Sequence, residues 1–286
     1  MKLVRFGPQG SEKPGLIDGA GHVRDLSSHV GDIEGEVLAP DRLRRLAGID
    51  PQTLPLVESP GRLGPPVAGI GKILAIGLNY REHAEETGAA VRSDPMLFSK
   101  AITALSGPND PIVLPRGSEK TDWEVELAVI IGSRAAYVDE DKALDAIAGY
   151  AVINDVSERA FQKERGGQFI KGKSADSFGP LGPWLVTRDE IADPQDLALW
   201  CDLNGERRQE SNTSRMIFPV ATLVSHISQF MTLLPGDVIA TGTPAGVGMG
   251  CKPPRYLRAG DVLECGVEAL GRQHHEVIAF EATGGS

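Results

Sequence analysis

The stretch that most constrains the fold is TDWEVELAVIIG, residues 121–132, in which acidic and apolar residues alternate ahead of an apolar run. Such alternation among Trp, Val, Leu and Ile is typical of a β-strand. Residues two apart share a face of a strand, so Asp122, Glu124 and Glu126 are predicted to point the same way. The run from Ala128 to Ile131 is apolar enough to be buried on both faces. The chain is therefore expected to lay a row of carboxylates at the boundary of its core.

Length and charge restrict the class of protein. The chain has 286 residues, enough for one large domain or a large domain with a small one. Its net charge of −10 argues against nucleic acid or a membrane surface as the main partner, but leaves a small anionic substrate possible. Three cysteines without a CxxC motif favour a reducing, cytoplasmic location. No apolar run approaches ~20 residues, so neither a membrane span nor a secretory signal is expected.

Residues 1–65 are predicted to form a small N-terminal domain. KLVRF is a short strand, GLIDGAGHVRDLS is a hairpin, and Asp41 to Ile49 has the apolar spacing of a helix. The Pro- and Gly-rich segment ESPGRLGPPVAG then serves as a linker.

Residues 66–286 are predicted to form a larger, β-rich domain of the α+β class, with a rolled or barrel-like sheet. Two helices are expected within it, over residues 141–149 and 218–233. The predicted strands are apolar segments separated by Gly and Pro: KILAIGL, PIVLP, VELAVIIG, GYAVIND, GPWLVT, LALWCDLNG, GDVIATG, GDVLECGV and HHEVIAFEA.

The carboxylate row indicates a metal site. Glu124 and Glu126 have Cα atoms roughly 6.5–7 Å apart on one strand face, so their oxygens can meet around one cation. Asp155 closes the strand GYAVIND and supplies a third oxygen ligand. An all-oxygen set selects Mg²⁺ or Mn²⁺, with Ca²⁺ possible. A solvated edge strand opposite basic residues, with Asp155 as a turn residue or helix cap, remains the alternative.

The segment GLNYREHAEETG, residues 77–88, is predicted to form a short helix capped by Asn79 and ended by Gly88. His83 and Glu86 are three apart and share a helix face. A carboxylate beside an imidazole can orient it as a base that activates water. An ordinary pair on a surface helix is the alternative.

Two Gly-rich segments provide further candidates. KGKSADSFGPLGPW, from residue 171, is expected to be a loop whose lysine either offsets an anionic site or is merely solvated. GDVIATGTPAGVGMG, from residue 236, lacks the GK[ST] of a phosphate loop, but its amides and threonines can hold a carboxylate. Arg159, Arg165 and Gln168 lie between the metal strand and the lysine segment, and are candidates for contacting the distal part of a substrate.

Six fragments occur in order: GLNYREHAEETG, P-x-LFSK, DWEVELAVIIG, NDVSERAFQ, KGKSADSFGPLGPW and PGDVIATGTPAGVG. Together they resemble the fumarylacetoacetate hydrolase family, and within it bacterial members described as ureidoglycolate lyases or as hydrolases of 2,4-diketo-3-deoxy sugar acids such as the L-rhamnonate derivative. The resemblance implies the family's rolled, mixed β-sheet in the catalytic domain and a small N-terminal α/β domain.

The resemblance also implies roles for particular residues. Glu124, Glu126 and Asp155 match the family's divalent-metal ligands, and His83 with Glu86 matches a water-activating dyad on a lid helix. Lys173, or a shifted Lys171, matches an enolate-stabilising lysine, and Gln162 matches an oxyanion-supporting glutamine. Thr243 with Gly242 matches a loop that holds the substrate carboxylate, and Lys100 matches a supporting lysine.

The implied activity is a metal-dependent hydrolysis of the C–C bond of a 2,4-diketo acid, which releases pyruvate through an enolate. Ureidoglycolate lyase, oxaloacetate decarboxylase and tautomerase activities are alternatives, because each can use the same enolate-stabilising groups. A non-catalytic metal-binding scaffold is a further alternative. The resemblance implies a homodimer, a small anionic keto-acid substrate, and no nucleic-acid or membrane partner.

Overall fold

The computed structural model describes residues 1–281 and contains two open β-sheets joined by short helices. The strands are β1 Lys2–Phe6, β2 Lys13–Ile17, β3 Val23–Asp25, β4 Leu63–Gly64, β5 Ile73–Gly77, β6 Met96–Lys100, β7 Leu105–Ser106, β8 Ile112–Leu114, β9 Thr121–Asp122, β10 Val125–Ile131, β11 Ile147–Asn154, β12 Ser157–Glu158, β13 Gly179–Thr187, β14 Ala198–Leu203, β15 Glu206–Asn212, β16 Val238–Ala240, β17 Val262–Val267 and β18 Gly271–Ala279.

The helices are short. The α-helices are α1 Pro40–Ala47, α2 Arg81–Glu86, α3 Glu140–Ala143, α4 Arg159–Lys163, α5 Phe169–Lys173 and α6 Val220–Ser228. The 3₁₀ helices are Gly35–Leu38, Pro51–Thr53, Ile102–Ala104, Leu144–Ala146, Arg188–Glu190, Thr213–Arg215 and Gly248–Gly250. Within residues 1–281, none of these helices combines the length and apolar character that crossing a bilayer requires.

The main sheet has the order β3-β2-β1-β13-β11-β10-β16-β5-β6, with β4 beside β1 and β7 beside β13. The second sheet has the order β15-β14-β17-β18-β8, and β9 pairs with β12 in a small ribbon. The fold is therefore the predicted β-rich α+β class. Both large sheets end in edge strands, so the described part of the chain contains no closed barrel.

Strand β10 is buried along its whole length, as its apolar run predicts. Val125, Leu127 and Val129 belong to the core that also includes Leu199 and Leu263 of the second sheet. The intervening residues of β10 face a separate core on the opposite side of the main sheet. That core includes Ala128 and Ile130 from β10, and Leu26, Leu38 and Leu43 from the N-terminal segment. Strand β10 is thus held rigidly from both sides at the end where the carboxylates begin.

The N-terminal segment continues the main sheet. Strand β1 pairs with β13, placing Leu3 opposite Leu185, and the predicted hairpin is formed by β2 and β3. Helix α1 ends at Ala47, two residues before the predicted end. The domain boundary predicted at residue 65 stays a prediction. Backbone pairing between β1 and β13 joins the segments on its two sides.

Two predicted helices are shorter than expected. Over residues 141–149 the helical turns end at Ala146, because Ile147 begins β11 at the centre of the main sheet. The helix expected over 218–233 begins only after Pro219, and Leu233 instead forms a bridge to Ala135. The segment predicted as a loop from residue 171 contains the end of α5 and, from Gly179, strand β13.

Candidate functional site

Carboxylates converge where β10 and β11 meet. The two strands are antiparallel, so Glu124 and Glu126 at the start of β10 lie beside Asp155, which follows β11. The Asp155 amide donates to the Glu124 carbonyl at 2.9 Å, which holds the two chain segments together. One oxygen from each of these three carboxylates lies within 4.8 Å of the others, and all three side chains are buried. The predicted set is therefore assembled in space.

Three cations surround these carboxylates. Lys173 Nζ donates to Glu124 Oε2 at 2.6 Å and to Asp155 Oδ2 at 2.5 Å. Lys100 Nζ donates to Asp155 Oδ1 at 2.5 Å. Arg159 Nη2 lies 2.6 Å from Glu124 Oε1, at ion-pair distance but off hydrogen-bond alignment. Buried carboxylates require such partners, because an isolated charge in a core is costly.

The three cations are shared unequally among the carboxylates, and the pKa values of the carboxylates reflect this. Burial opposes ionisation of Glu124, but Arg159 and Lys173 outweigh it and hold the Glu124 pKa well below its usual range. Burial raises the pKa of Glu126 well above its usual range, and the charges of Asp155 and Glu124 add to this effect. Burial also disfavours the charged form of Lys100 and so lowers its pKa, although Asp155 opposes the shift. Glu126 is thus the carboxylate with least cationic compensation.

The donor set fits a hard divalent ion. Three buried carboxylates within reach of one another offer only oxygen, which suits Mg²⁺ and Mn²⁺ better than zinc or copper. The excess negative charge at Glu126 is the feature that a further cation would offset. Glu124, Glu126 and Asp155 are therefore the residues that would hold the ion.

Asp122 lies beside this group and does not join it. Its Oδ1 accepts from the amides of Trp123 and Gly248 at 2.9 and 2.6 Å, and its Oδ2 accepts from the amide of Met249 at 3.1 Å. Arg159 Nε donates to the same Oδ2 at 2.9 Å. Asp122 thus orients Arg159, which in turn contacts Glu124, as expected for a residue one step from the ligands.

The loop after β16 contacts the site through its backbone. Gly242 N donates to Glu126 Oε2 at 2.7 Å. Gly242 has φ +101°, and an added Cβ would lie 2.6 Å from Asn79 Cβ, so only glycine fits. The Thr243 hydroxyl donates to the Val125 carbonyl at 2.9 Å, although Thr243 also lines the cleft. The loop therefore positions Glu126 in addition to any contact with substrate.

Helix α2 brings His83 to the site. His83 Nδ1 lies 3.3 Å from Glu86 Oε2, and Glu86 Oε1 accepts from the Gly246 amide at 2.9 Å. Glu86 therefore links the helix to the Gly-rich loop and fixes the imidazole. The predicted cap of this helix is wrong: it begins after Tyr80, and the Asn79 side chain instead bonds the backbone of Phe218 and Thr241.

A cleft opens over these groups. Its inner part is lined by the predicted polar residues Glu124, Glu126, His83, Gln162, Lys173 and Thr243. Its outer part, made by the half-buried and exposed lining residues, is mainly apolar and includes Leu78, Met96, Phe98, Phe169 and Met249. The arrangement therefore suits a ligand with one polar end.

Of the predicted substrate contacts, Thr243 lines the cleft, whereas Gly242 and three others do not. Arg165 and Gln168 are exposed and outside the cleft lining, and the Arg165 guanidinium lies over the Phe161 ring at 4.2 Å. Lys100 is buried behind Asp155 and also lies outside the lining. Geometry thus gives no support to substrate contact by these three residues.

Two charged lining residues were not predicted in their observed places. Arg159 was considered only for the distal end of a substrate, whereas it contacts Glu124. Lys163 was not singled out. The helical spacing of Arg159, Gln162 and Lys163 was the available signal, since residues three and four apart share a helix face.

The site thus combines three buried carboxylates within reach of one metal ion with an adjacent His–Glu pair. The chain belongs to the fumarylacetoacetate hydrolase family, because residues 72–278 match the family model described as Fumarylacetoacetate (FAA) hydrolase C-terminal. A protein of Burkholderia cenocepacia whose name places it among the hydrolases is 57% identical over 274 residues, covering 96% of this chain and 97% of that protein.

Solved structures agree with this assignment. A fumarylacetoacetate hydrolase from Exiguobacterium antarcticum is 38% identical, with a TM-score of 0.87 over 98% of this chain and 100% of that one. A 2-hydroxyhepta-2,4-diene-1,7-dioate isomerase from Mycobacterium marinum is 32% identical, with a TM-score of 0.76 over 99% and 100%. A maleylpyruvate hydrolase from Sphingobium sp. SYK-6, in complex with manganese(II) and pyruvate, is 28% identical, with a TM-score of 0.80 over 98% and 100%.

Proposed function

We propose that the protein is a divalent-metal-dependent hydrolase that cleaves the C3–C4 bond of an acylpyruvate and releases pyruvate. The observation that carries the proposal is the convergence of Glu124, Glu126 and Asp155 at a cleft that the two glutamates line together with His83. The manganese and pyruvate named for the maleylpyruvate hydrolase support the same chemistry. When bound, the ion would supply Lewis-acid polarisation of the keto-acid oxygens.

His83 is the proposed base. Its Nδ1 faces Glu86, so that contact directs the other ring nitrogen, Nε2, away from Glu86. With Nδ1 protonated and donating to Glu86, Nε2 can take a proton from water as the water attacks the 4-carbonyl. Glu86 both fixes this tautomer and stabilises the imidazolium that forms.

Gln162 and Lys173 are the proposed stabilisers of negative charge. Gln162 Oε1 accepts from Arg159 Nη1 at 3.3 Å, which leaves the amide N–H groups of Gln162 for an oxyanion. Lys173 stays cationic because Asp155 and Glu124 outweigh its burial and raise its pKa. It can therefore stabilise the enolate of pyruvate until that enolate is protonated.

An isomerase acting on a related keto acid is the second candidate. It is favoured by the dienedioate isomerase among the structural neighbours, and it needs the same proton transfer and enolate stabilisation. The two activities differ in whether a C–C bond is broken, so product analysis separates them.

The test is pyruvate release from 2,4-dioxopentanoate in the presence of Mg²⁺ or Mn²⁺, with ureidoglycolate as the substrate for the lyase alternative. We expect pyruvate, no urea, and a loss of about 10²- to 10⁴-fold in kcat for His83→Asn. Glu86→Gln should also reduce kcat, whereas the exposed neighbour on the same helix, Glu85→Gln, should not. Absence of pyruvate, or full activity in Glu124→Gln, would contradict the proposal.

A further inference from the structure

One charged group in the cleft has no ionic partner. Lys163, at the end of α4, lines the outer part of the cleft with its Nζ 3.0 Å from Met249 Sδ. Within residues 1–281, no carboxylate lies within ion-pair distance of this ammonium, whereas Glu124 and Lys173, also in the lining, pair with each other. Lys163 is therefore a cation presented to the cleft and left available.

Its neighbours in sequence and space are engaged elsewhere. Lys120 Nζ pairs with Glu164, and Lys171 Nζ donates to the Arg165 carbonyl at 2.9 Å. The Arg165 guanidinium covers the Phe161 ring. Of the basic side chains around residues 159–171, Lys163 is the one that lines the outer cleft.

The position of Lys163 relative to the carboxylates follows from the helix. Arg159 and Lys163 are four residues apart in α4, so they share a face and are offset by about 6 Å along the axis. Arg159 contacts Glu124. Arg159 is buried and Lys163 is exposed, so Lys163 lies about one turn further out, which matches a ligand several carbons long whose inner end is at the carboxylates.

The surface between the two ends is apolar. Phe98 and Phe169 stack edge to face at 5.3 Å, and Met96 and Met249 complete the walls. The Thr87 hydroxyl nearby is occupied, since it donates to the His83 carbonyl at 2.8 Å. These walls offer few partners for the hydroxyl groups of a sugar acid. They suit a hydrocarbon chain with an anion at its end.

We propose that Lys163 binds the distal carboxylate of a dicarboxylic keto acid and thereby selects diacids over monoacids. The inference rests on the proposed function for the placement of the keto-acid end at the carboxylate cluster. Lys163 and Met249 form the outer subsite, and the apolar walls bind the carbons between the two ends. Because the Lys163 side chain has no ionic partner to lose, binding a carboxylate there breaks no existing ion pair.

The first experiment measures binding without turnover. Mn²⁺-loaded protein is titrated by calorimetry with 2-oxohexanedioate and with 2-oxohexanoate, which lacks the second carboxylate. We expect the diacid to bind about 10- to 100-fold more tightly, the range for one hydrogen bond to a charged group. Lys163→Met keeps the length and apolar stem of the side chain, and should remove this preference while changing monoacid affinity by less than about twofold.

Lys171→Met is the matched control, because Lys171 is an exposed lysine on the adjacent helix outside the cleft. It should keep the wild-type preference. Equal affinity of the wild-type protein for the two acids, or an equal loss for both acids in Lys163→Met, would overturn the assignment.

The second experiment separates this inference from the proposed function. Cleavage of 2,4-dioxoheptanedioate is compared with that of 2,4-dioxoheptanoate, a monoacid of the same chain length. If neither is cleaved but the binding preference still depends on Lys163, the hydrolase proposal fails and the outer subsite stands. If both are cleaved equally by the wild-type protein and by Lys163→Met, the subsite fails and the hydrolase proposal stands.

Discussion

The exchange of Glu126 for glutamine has an expected effect on stability that depends on whether the metal is present. Glu126 is 1% exposed, and it accepts one hydrogen bond, 2.7 Å long, from the Gly242 amide. Burial and the neighbouring carboxylates Asp155 and Glu124 raise its pKa, so the neutral form is favoured without metal. A glutamine oxygen accepts the same hydrogen bond and carries no charge. We therefore expect the free energy of unfolding to stay within about 1 kcal/mol of the wild-type value without metal.

With metal the two proteins should differ. A ligand present at 100 times its Kd stabilises the folded state by about 2.7 kcal/mol. For a chain of this size that corresponds to a rise of about 4–5 °C in Tm. We expect this rise in the wild-type protein when Mn²⁺ replaces EDTA, and its loss in Glu126→Gln. Scanning calorimetry of both proteins, with and without Mn²⁺, measures all four values.

Asp122→Asn is the informative control, since this carboxylate is next to the site without belonging to it. An asparagine would turn an N–H group either toward Arg159 Nε and the Met249 amide, or toward the amides of Trp123 and Gly248. That mismatch should cost about 2–3 kcal/mol without metal, while the rise in Tm with Mn²⁺ persists. A full rise in Glu126→Gln, or a loss of the rise in Asp122→Asn alone, would refute the proposed ligand set.

Two further predictions concern the lid and the second sheet. An alanine Cβ at Gly250 would lie 2.1 Å from Glu86 Cδ, so Gly250→Ala should displace Glu86 from His83. We expect kcat to fall at least about 10-fold and the Mn²⁺-induced rise in Tm to stay unchanged. An unchanged kcat would contradict the role of the His83–Glu86 dyad. Burial lowers the pKa of His275 from 6.5 to about 4, even though its Nδ1 bonds the Asp110 carbonyl. The stability that neutral His275 contributes is therefore complete above pH 6.5 and falls by about 3 kcal/mol as the pH drops to 4. His275→Asn should remove that part of the acid sensitivity in urea titrations, and an unaltered pH dependence would contradict it.

The carboxylate cluster was predictable from sequence because strand geometry is local. The two-residue period of β10 puts Glu124 and Glu126 on one face. An acidic residue closing the next apolar strand then meets them once the two strands pair, as Asp155 does. The apolar run after Glu126 signalled the burial, and all of β10 is buried.

Strand β15 was not predicted, since its sequence ERRQESN contains no apolar residue. It forms by backbone pairing with β14 at the edge of the second sheet, where most of its side chains reach solvent. Only Gln209 turns fully inward, and it donates to the Thr243 hydroxyl and the Pro244 carbonyl. A polar edge strand of this kind depends on its partner strand, so its own sequence carries little signal.

The inward or outward direction of residues 159–168 could not be read from sequence either. Arg159 and Lys163 face the cleft because they lie on one side of α4. Gly166 and Gly167, both with positive φ, then turn the chain outward before α5. Arg165, two residues after Lys163, is therefore engaged differently, with its guanidinium over the Phe161 ring. The turn between the two helices decides which cation reaches the cleft.

The balance of charge explains how an acidic protein can bind an acidic substrate. Three buried carboxylates, Asp122, Glu124 and Asp155, contact three cations, Lys100, Arg159 and Lys173, and Glu126 adds a fourth carboxylate to the cluster. Without metal, Glu126 favours its neutral form, so the other three carboxylates balance the three cations and the cluster carries no net charge that would attract a keto acid. A divalent ion held by ionised Glu124, Glu126 and Asp155 brings the cluster to one positive charge, which matches the single carboxylate at the inner end of the substrate. Metal binding should therefore precede substrate binding, and keto-acid affinity measured in EDTA should be negligible.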